Sequence, residues 1–229
     1  MALFILAAFS LACCQRGGVR PDASVFPVRG IDISAHNGDV DFASVAADSI
    51  RFVYIKATEG ADFCDALFER NCQRALSAGM DVGAYHFFRF DTPGHIQAYN
   101  FMNAIEGKKL ALPAAIDVED WNNAEDVPVK DVVDQLASMV GVLKSAGRKV
   151  VIYTNKKGYE AYIKERFDSV RVWMCSLDAE PSDSVNWKFW QYSHSGRLRG
   201  LGGNVDLDVF RGSRADYDAY LAPDSTFAR

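Results

Sequence analysis

Leu112-Pro113-Ala114-Ala115-Ile116-Asp117-Val118-Glu119-Asp120 is a small apolar run, opened near its start by a proline, whose last four residues carry three carboxylates. Read as a strand, its side chains alternate faces, so Asp117 and Glu119 point one way while Val118 and Asp120 point the other. Two strand steps would set their Cβ atoms about 6.5–7 Å apart. Acids paired on one face at the end of a buried strand repel each other, and the repulsion keeps one protonated near neutral pH. A glycosidase needs such a pair: one acid protonates the leaving oxygen and a second group meets the developing positive charge. A strand that simply runs into a solvated acidic turn would look the same locally, so the surroundings must decide.

Outward from this stretch the chain alternates strand-like and helix-like segments. Before it come strands over Gly30–Ser34, Arg51–Ala57 and Val82–Phe88. The intervening helices are a short one over Asp41–Ala47, one over Ala66–Ala78 stopped by Gly79, and one over Pro93–Glu106 closed by Gly107. After it, Val129–Ala146 is the clearest helix, with Val132, Leu136, Met139, Val140 and Leu143 on one apolar face. Val150–Thr154 is an apolar strand of the buried parallel kind, and Gly158–Lys164 has the pattern of a short helix. Three further strands follow, Val170–Cys175, Trp187–Ser193 and Val205–Phe210, with no long helix between them. Eight strands, the first five followed by helical segments, predict an α/β fold: a modified TIM-like barrel with five β/α units and three further strands. A doubly wound sheet is the alternative, but no Gly-rich phosphate turn follows the first strand.

In a barrel the functional residues gather where the strands end. Asp32, Glu59, His86, Asp117, Glu119, Trp173, Gln191, Tyr192 and Asp206 all fall at or just beyond such positions. Converging there, they turn the acidic strand end from a local curiosity into a candidate active site. Asp208 lies two residues from Asp206 on the same strand face, so either could point inward. His86 has no second histidine near it in sequence to make a metal site, and Tyr85, Tyr153, Trp173, Gln191 and Tyr192 are candidates for lining a sugar groove.

The chain has 229 residues, 24% of them charged and 49% hydrophobic, the composition of an ordinary soluble domain. A net charge of −5 without a Lys/Arg run argues against nucleic acid as a partner and leaves a neutral carbohydrate open. Ala2 to Ala12 is an apolar run too short to span a bilayer but suited to the core of a secretory signal. Leu11-Ala12-Cys13-Cys14 resembles a bacterial lipobox, with Cys13, after the small Ala12, preferred over Cys14 as the lipidated residue. No Lys or Arg precedes the apolar run, as a signal would ordinarily have. The expected organisation is a lipoprotein-type signal segment and flexible tether over residues 1–27 and a single barrel domain over 28–229. Cys64, Cys72 and Cys175 show no metal spacing. A Cys64–Cys72 bridge is open in an oxidising compartment, buried thiols being the plainer reading.

Six motifs stand in order: Gly30-Ile31-Asp32-Ile33-Ser34, Tyr54-Ile55-Lys56-Ala57-Thr58-Glu59-Gly60, Gly83-Ala84-Tyr85-His86-Phe87, Asp117-Val118-Glu119, Trp190-Gln191-Tyr192-Ser193 and Val205-Asp206-Leu207-Asp208. Together they resemble the series of the glycoside hydrolase family 25 lysozymes, the Chalaropsis-type N-acetylmuramidases, over residues 28 to about 221. The resemblance implies a barrel of five β/α units plus three strands and hydrolysis of the β-1,4 bond between N-acetylmuramic acid and N-acetylglucosamine in peptidoglycan. It implies Glu119 as general acid and Asp117 as the group that orients the substrate's 2-acetamido function, whose oxygen attacks the anomeric carbon with net retention. Asp32 and Asp206 would be the other two acids of the cluster; Tyr85, His86, Glu59, Tyr153, Trp173, Gln191 and Tyr192 are expected to contact substrate. No cofactor is implied, and the chain is expected to act as an exported, envelope-attached monomer on peptidoglycan strands. One departure is Trp173-Met174-Cys175-Ser176-Leu177, where the family usually places an alanine and an aromatic soon after the tryptophan. Other readings are a hydrolase of another acetamido-sugar polymer such as chitin, a metal hydrolase built on the four acids, and a catalytically silent peptidoglycan-binding lipoprotein. A binder would have no need of a repelling acid cluster.

Overall fold

The structure, a computed structural model, describes residues 19–222. The apolar segment and Cys13 lie outside the described residues. Nine strands form one sheet: β1 (Arg29–Ile33), β2 (Ile50–Glu59), β3 (Phe63–Cys64), β4 (Asp81–Phe87), β5 (Ala114–Asp117), β6 (Val150–Asn155), β7 (Arg171–Cys175), β8 (Trp187–Gly196) and β9 (Val205–Phe210). From β1 through β2, β4, β5, β6 and β7 to β8 the neighbours run parallel. β9 runs antiparallel between β8 and β1 and closes the barrel. The ninth strand, β3, is a two-residue addition paired antiparallel to the end of β2, too short to register as a strand in sequence.

Among the described residues six α-helices accompany the sheet: α1 (Phe42–Ala47), α2 (Phe68–Ser77), α3 (Gly94–Ile105), α4 (Val129–Ser145), α5 (Lys156–Gly158) and α6 (Arg214–Leu221). α1 starts where Asp41 accepts the backbone N–H groups of Ala43 and Ser44, an N-cap that satisfies donors the helix cannot. The helical segment expected over 158–164 is instead α5 followed by a π-helical turn, Tyr159–Ile163. No helix separates β7, β8 and β9, as expected. Among the described residues, no helix is long and apolar enough to cross a membrane.

Strand alternation sorts the apolar residues into two cores. Outward-facing side chains such as Ile31, Val53, Ile55, Val82, Ile116 and Ile152 pack under the helices. Inward-facing Phe52, Tyr54, Trp173, Phe189 and Phe210 fill the barrel with rings. Two glycines make room for that aromatic filling. A Cβ at Gly30 would lie 2.1 Å from the Phe52 ring, and one at Gly83 would lie 2.4 Å from Tyr54. α6 plugs the end of the barrel opposite the strand C-termini: Tyr217 stacks on Phe52 at 6.0 Å, and its hydroxyl reaches Asp81 at the start of β4.

Residues 19–27 are not a free tether. Phe26 is buried against Trp187 and Trp190, and the Val19 N–H bonds the Leu177 carbonyl. The strands β7, β8 and β9 lack helices of their own, and this segment covers the apolar surface that helices cover elsewhere.

Candidate active site

β5 ends at Asp117, shorter than expected, yet the alternation runs on. The Val118 N–H bonds the Tyr153 carbonyl, and the Thr154 hydroxyl donates to the Val118 carbonyl, so the chain stays extended beyond the strand. Val118 is buried in the outer core, while Asp117 and Glu119 line one cleft at the C-terminal mouth. Asp120 turns away and takes the Tyr162 hydroxyl at 2.7 Å and the Lys157 ammonium at 2.5 Å. Asn123 donates to the Glu119 and Phe88 carbonyls and pins the loop that follows.

The same cleft receives Asp32 from β1, Glu59 and Lys56 from β2, Tyr85 from β4, Tyr153 from β6, Trp173 from β7, Gln191 from β8 and Asp206 from β9. Asp32 and Asp206 face each other across the β1–β9 ladder. Gln191 ties this side together: its amide donates to Asp32 at 2.7 Å and to Asp206 at 3.5 Å, and its carbonyl accepts from the Tyr153 hydroxyl at 2.7 Å and His194 at 2.8 Å. Asp208, the alternative to Asp206, is fully buried deeper in the barrel and accepts the Trp173 indole N–H at 2.8 Å.

Lys56 and Glu59 are three residues apart, a spacing that strict alternation would put on opposite faces. A bulge between Lys56 and Thr58 against β4 restores both to the cleft, where they pair at 2.7 Å. The Lys56 ammonium also lies over the Phe63 and Phe87 rings, 5.4 and 5.1 Å from their centroids.

Two expected groove residues lie elsewhere. His86 follows Tyr85 on β4 and therefore faces outward; it is fully buried, bonded to Thr58 at 2.7 Å and Gln97 at 3.0 Å, with its pKa lowered to about 4 by burial. Tyr192 follows Gln191 and likewise turns to the outer wall beside Arg29. The structure adds Lys56, Ser34, His36, Phe87, Trp121 and Asn122 to the lining. Trp121 is 73% exposed and meets Phe87 edge-on at the rim. Its position directly after three acids was the available signal, since an exposed tryptophan beside a polar cleft is a stacking surface. Cys64 is exposed, Cys72 and Cys175 are buried, and all three are free thiols.

Burial and crowding raise every acid of the cluster. Asp117 stands well above the usual carboxylate range because it is desolvated and close to Glu119, with Lys56 pulling the other way. Glu119 is raised by burial, against a weak hydrogen bond from Asn155 at 3.5 Å. Asp32 is raised well above its ordinary value by burial and by the charges of Asp208 and Asp206. Burial pushes Asp206 up, with His194 opposing it, and pushes Asp208 up to about 8. The Oδ1 atom of Asp117 is buried with no hydrogen-bond partner, facing a cleft that a ligand can enter. Such a cluster can hold and release protons near neutral pH. Among the described residues no three His, Cys, Asp or Glu side chains are grouped to hold a metal ion.

Comparison with known proteins gives a consistent answer. The family model described as Glycosyl hydrolases family 25 matches residues 31–201. A family 25 glycosyl hydrolase from Bacillus anthracis superposes with a TM-score of 0.82 at 35% identity, covering 90% of this chain and 97% of that one. Lysozyme M1 of Streptomyces globisporus is 33% identical over 82% of this chain and 69% of its own length. The uncharacterized protein YegX of Escherichia coli O157:H7 is 31% identical over 86% of this chain and 74% of its own.

Proposed function

The chain belongs to glycosyl hydrolase family 25, and from that premise we propose that it hydrolyses peptidoglycan at the β-1,4 bond between N-acetylmuramic acid and N-acetylglucosamine. The observation that carries the reading is the Asp117–Glu119 pair, desolvated, mutually repelling and open to one cleft. Glu119 protonates the glycosidic oxygen as the bond to the anomeric carbon breaks. Asp117 accepts the N–H of the 2-acetamido group and turns its carbonyl oxygen onto the anomeric carbon, where it forms a cyclic oxazolinium. Glu119, now ionised, takes a proton from the water that opens the ring from the same face, so configuration is retained and no sugar–enzyme bond forms. Asp32 and Asp206, braced by Gln191, set the field around the developing positive charge. Tyr85, Tyr153, Trp173, Glu59 and Trp121 line the sugar path.

Burial raises both Asp117 and Glu119, and the charge of Glu119 raises Asp117 further, so the pair favours holding one proton between them. An acetamide N–H arriving at Oδ1 supplies the donor that atom lacks. With Asp117 stabilised as the anion, also by Lys56, Glu119 is the member of the pair that carries the proton the leaving oxygen needs. Substrate thus arms its own acid.

The segment before the barrel supports export, with lipid attachment at Cys13 and a working place in the cell envelope. Mass spectrometry of purified peptidoglycan digested by the wild type and by Glu119→Gln tests the enzymatic reading. Fragments with reducing-end muramic acid, absent with the variant, are expected. Reducing-end glucosamine would move the cleaved bond, and no cleavage by folded wild type would overturn the assignment.

A further inference from the structure

The outer wall around β8 and β9 has no helix over it, and the 19–27 segment lies there instead. There a groove opens that contains Arg20, Arg29 and Arg197, with Tyr192, Ser193 and Ser195 beside them. It is separate from the catalytic cleft and shares no lining residue with it. In a chain of net charge −5, three arginines line this one groove, and none of them has a carboxylate salt-bridge partner among the described residues. Arg29 donates to the Asp48 backbone carbonyl at 3.4 Å and lines the groove beside Tyr192. Asp48 pairs with the Arg199 guanidinium and also acts on Arg29, and Asp22, held by the Ser24 backbone and hydroxyl, keeps its charge, so the groove is left with an excess of positive charge rather than a purely positive lining.

We propose that this arginine groove is the face by which the domain rests on a membrane, taking the phosphates of anionic phospholipid headgroups. The argument for that occupant is chain length. Val19 is six residues from Cys13, and six residues span at most about 20 Å when fully extended. A lipid on Cys13 therefore holds the groove's own edge, Val19 and Arg20, close to the bilayer, whichever way the rest of the domain turns. Attraction between exposed charges fades beyond a Debye length of about 8 Å in physiological salt, so the groove nearest the anchor gains most from it. The inference rests on the proposed anchor, and its test is built so that the two can fail separately.

The probe is the chain from residue 13 onward carrying Cys13→Ser and Cys14→Ser, which is the mature form without its acyl groups. It is mixed with vesicles of phosphatidylcholine alone or with about one-third phosphatidylglycerol. Binding is expected only to the second kind, disappearing in molar salt. Replacing the three arginines together (Arg20→Gln, Arg29→Gln, Arg197→Gln) should weaken it about a hundred-fold, the effect of three basic side chains near an anionic surface. The Arg20→Lys and Arg197→Lys pair should keep it, and Arg20→Gln with Arg197→Gln, both on exposed side chains, should lose most of it with the fold unchanged by circular dichroism. Equal binding to both vesicles, or binding indifferent to the arginines, would overturn the proposal. Competition by millimolar inorganic phosphate would make the groove a pocket for small phosphates, and arginine-dependent binding to purified sacculi would make it a wall contact; either overturns membrane docking. The intact mass of the native chain reports the acyl groups independently.

Discussion

The two sides of the catalytic cleft hold their acids by different hydrogen-bond networks. On the β1–β9 side, Asp32 accepts a strong bond from Gln191 and Asp208 accepts one from Trp173 on Oδ1 while its Oδ2 stays buried without a partner, and Gln191 is itself held by Tyr153 and His194. On the β5 side, Asp117 leaves a buried oxygen without a partner, and Glu119 has only the long contact from Asn155. A buried polar atom without a partner costs about 1–3 kcal/mol; the one on Asp117 faces the cleft, where a ligand can supply the donor, whereas Asp208 lies deeper in the barrel and outside the cleft lining. The contrast separates acids that shape the site from acids that act in it.

Substitutions on each side can break or sharpen that contrast. Glu119→Gln should lower turnover of peptidoglycan by about 10³–10⁴-fold, at the upper end of what a positioned acid supplies, with thermal stability unchanged or raised. Full activity in this variant would end the assignment. Asp117→Asn should cost about 10²–10³-fold in kcat. It should also raise the melting temperature, because a carboxyl left partnerless in the ligand-free fold is replaced by a neutral amide. A lower melting temperature would show that Asp117 is bonded after all and erase the distinction. Gln191→Leu, on the other side, should lower stability by about 2–4 kcal/mol in urea unfolding, since it strips the donor from Asp32 and the acceptor from Tyr153 and His194. Little loss there would mean that the bracing is ornamental.

The smallest effect is expected from Asp208→Asn and concerns pH. The folded protein holds the Asp208 proton up to about pH 8, whereas the ordinary value is 3.8. Between those values the native state binds the extra proton, so stability falls as pH rises, and this contribution levels off above pH 8. The asparagine variant lacks that part of the slope. Unfolding at about pH 5 and about pH 8 should show it losing about 1–3 kcal/mol less than wild type. Identical slopes would place the titration on other acids.

Much of this was legible in the sequence because strand parity is a rigid rule. Asp117 and Glu119 share a face even though β5 stops at Asp117, since hydrogen bonds from the flanking strands keep the next two residues extended. The same rule should have removed His86 and Tyr192 from the groove, because each adjoins a residue, Tyr85 or Gln191, that must point in. Lys56 with Glu59 was harder: only a bulge allows that pair on one face, and a bulge leaves no mark in composition. α6 was missed although Ser213 and Asp216 form a capping box at its start, a readable signal. Residues 19–27 read as a tether because their polar, Gly- and Pro-bearing neighbourhood hides the one anchoring ring, Phe26.

The closure of the barrel by β9 has a consequence for the order in which the protein comes into being. β1 ends up hydrogen-bonded to the last strand of the sheet, and Gln191 reaches Asp32 across a separation of 159 residues. Contacts so distant along the chain form late and fold slowly. A growing polypeptide can dock α2, α3 and α4 onto their strands as they emerge, but Asp32 stays without its brace until nearly the whole chain has left the ribosome. The acid cluster is therefore completed late, because Gln191 and Asp206 follow the Asp117–Glu119 pair in the chain and reach Asp32 only once β8 and β9 are in place.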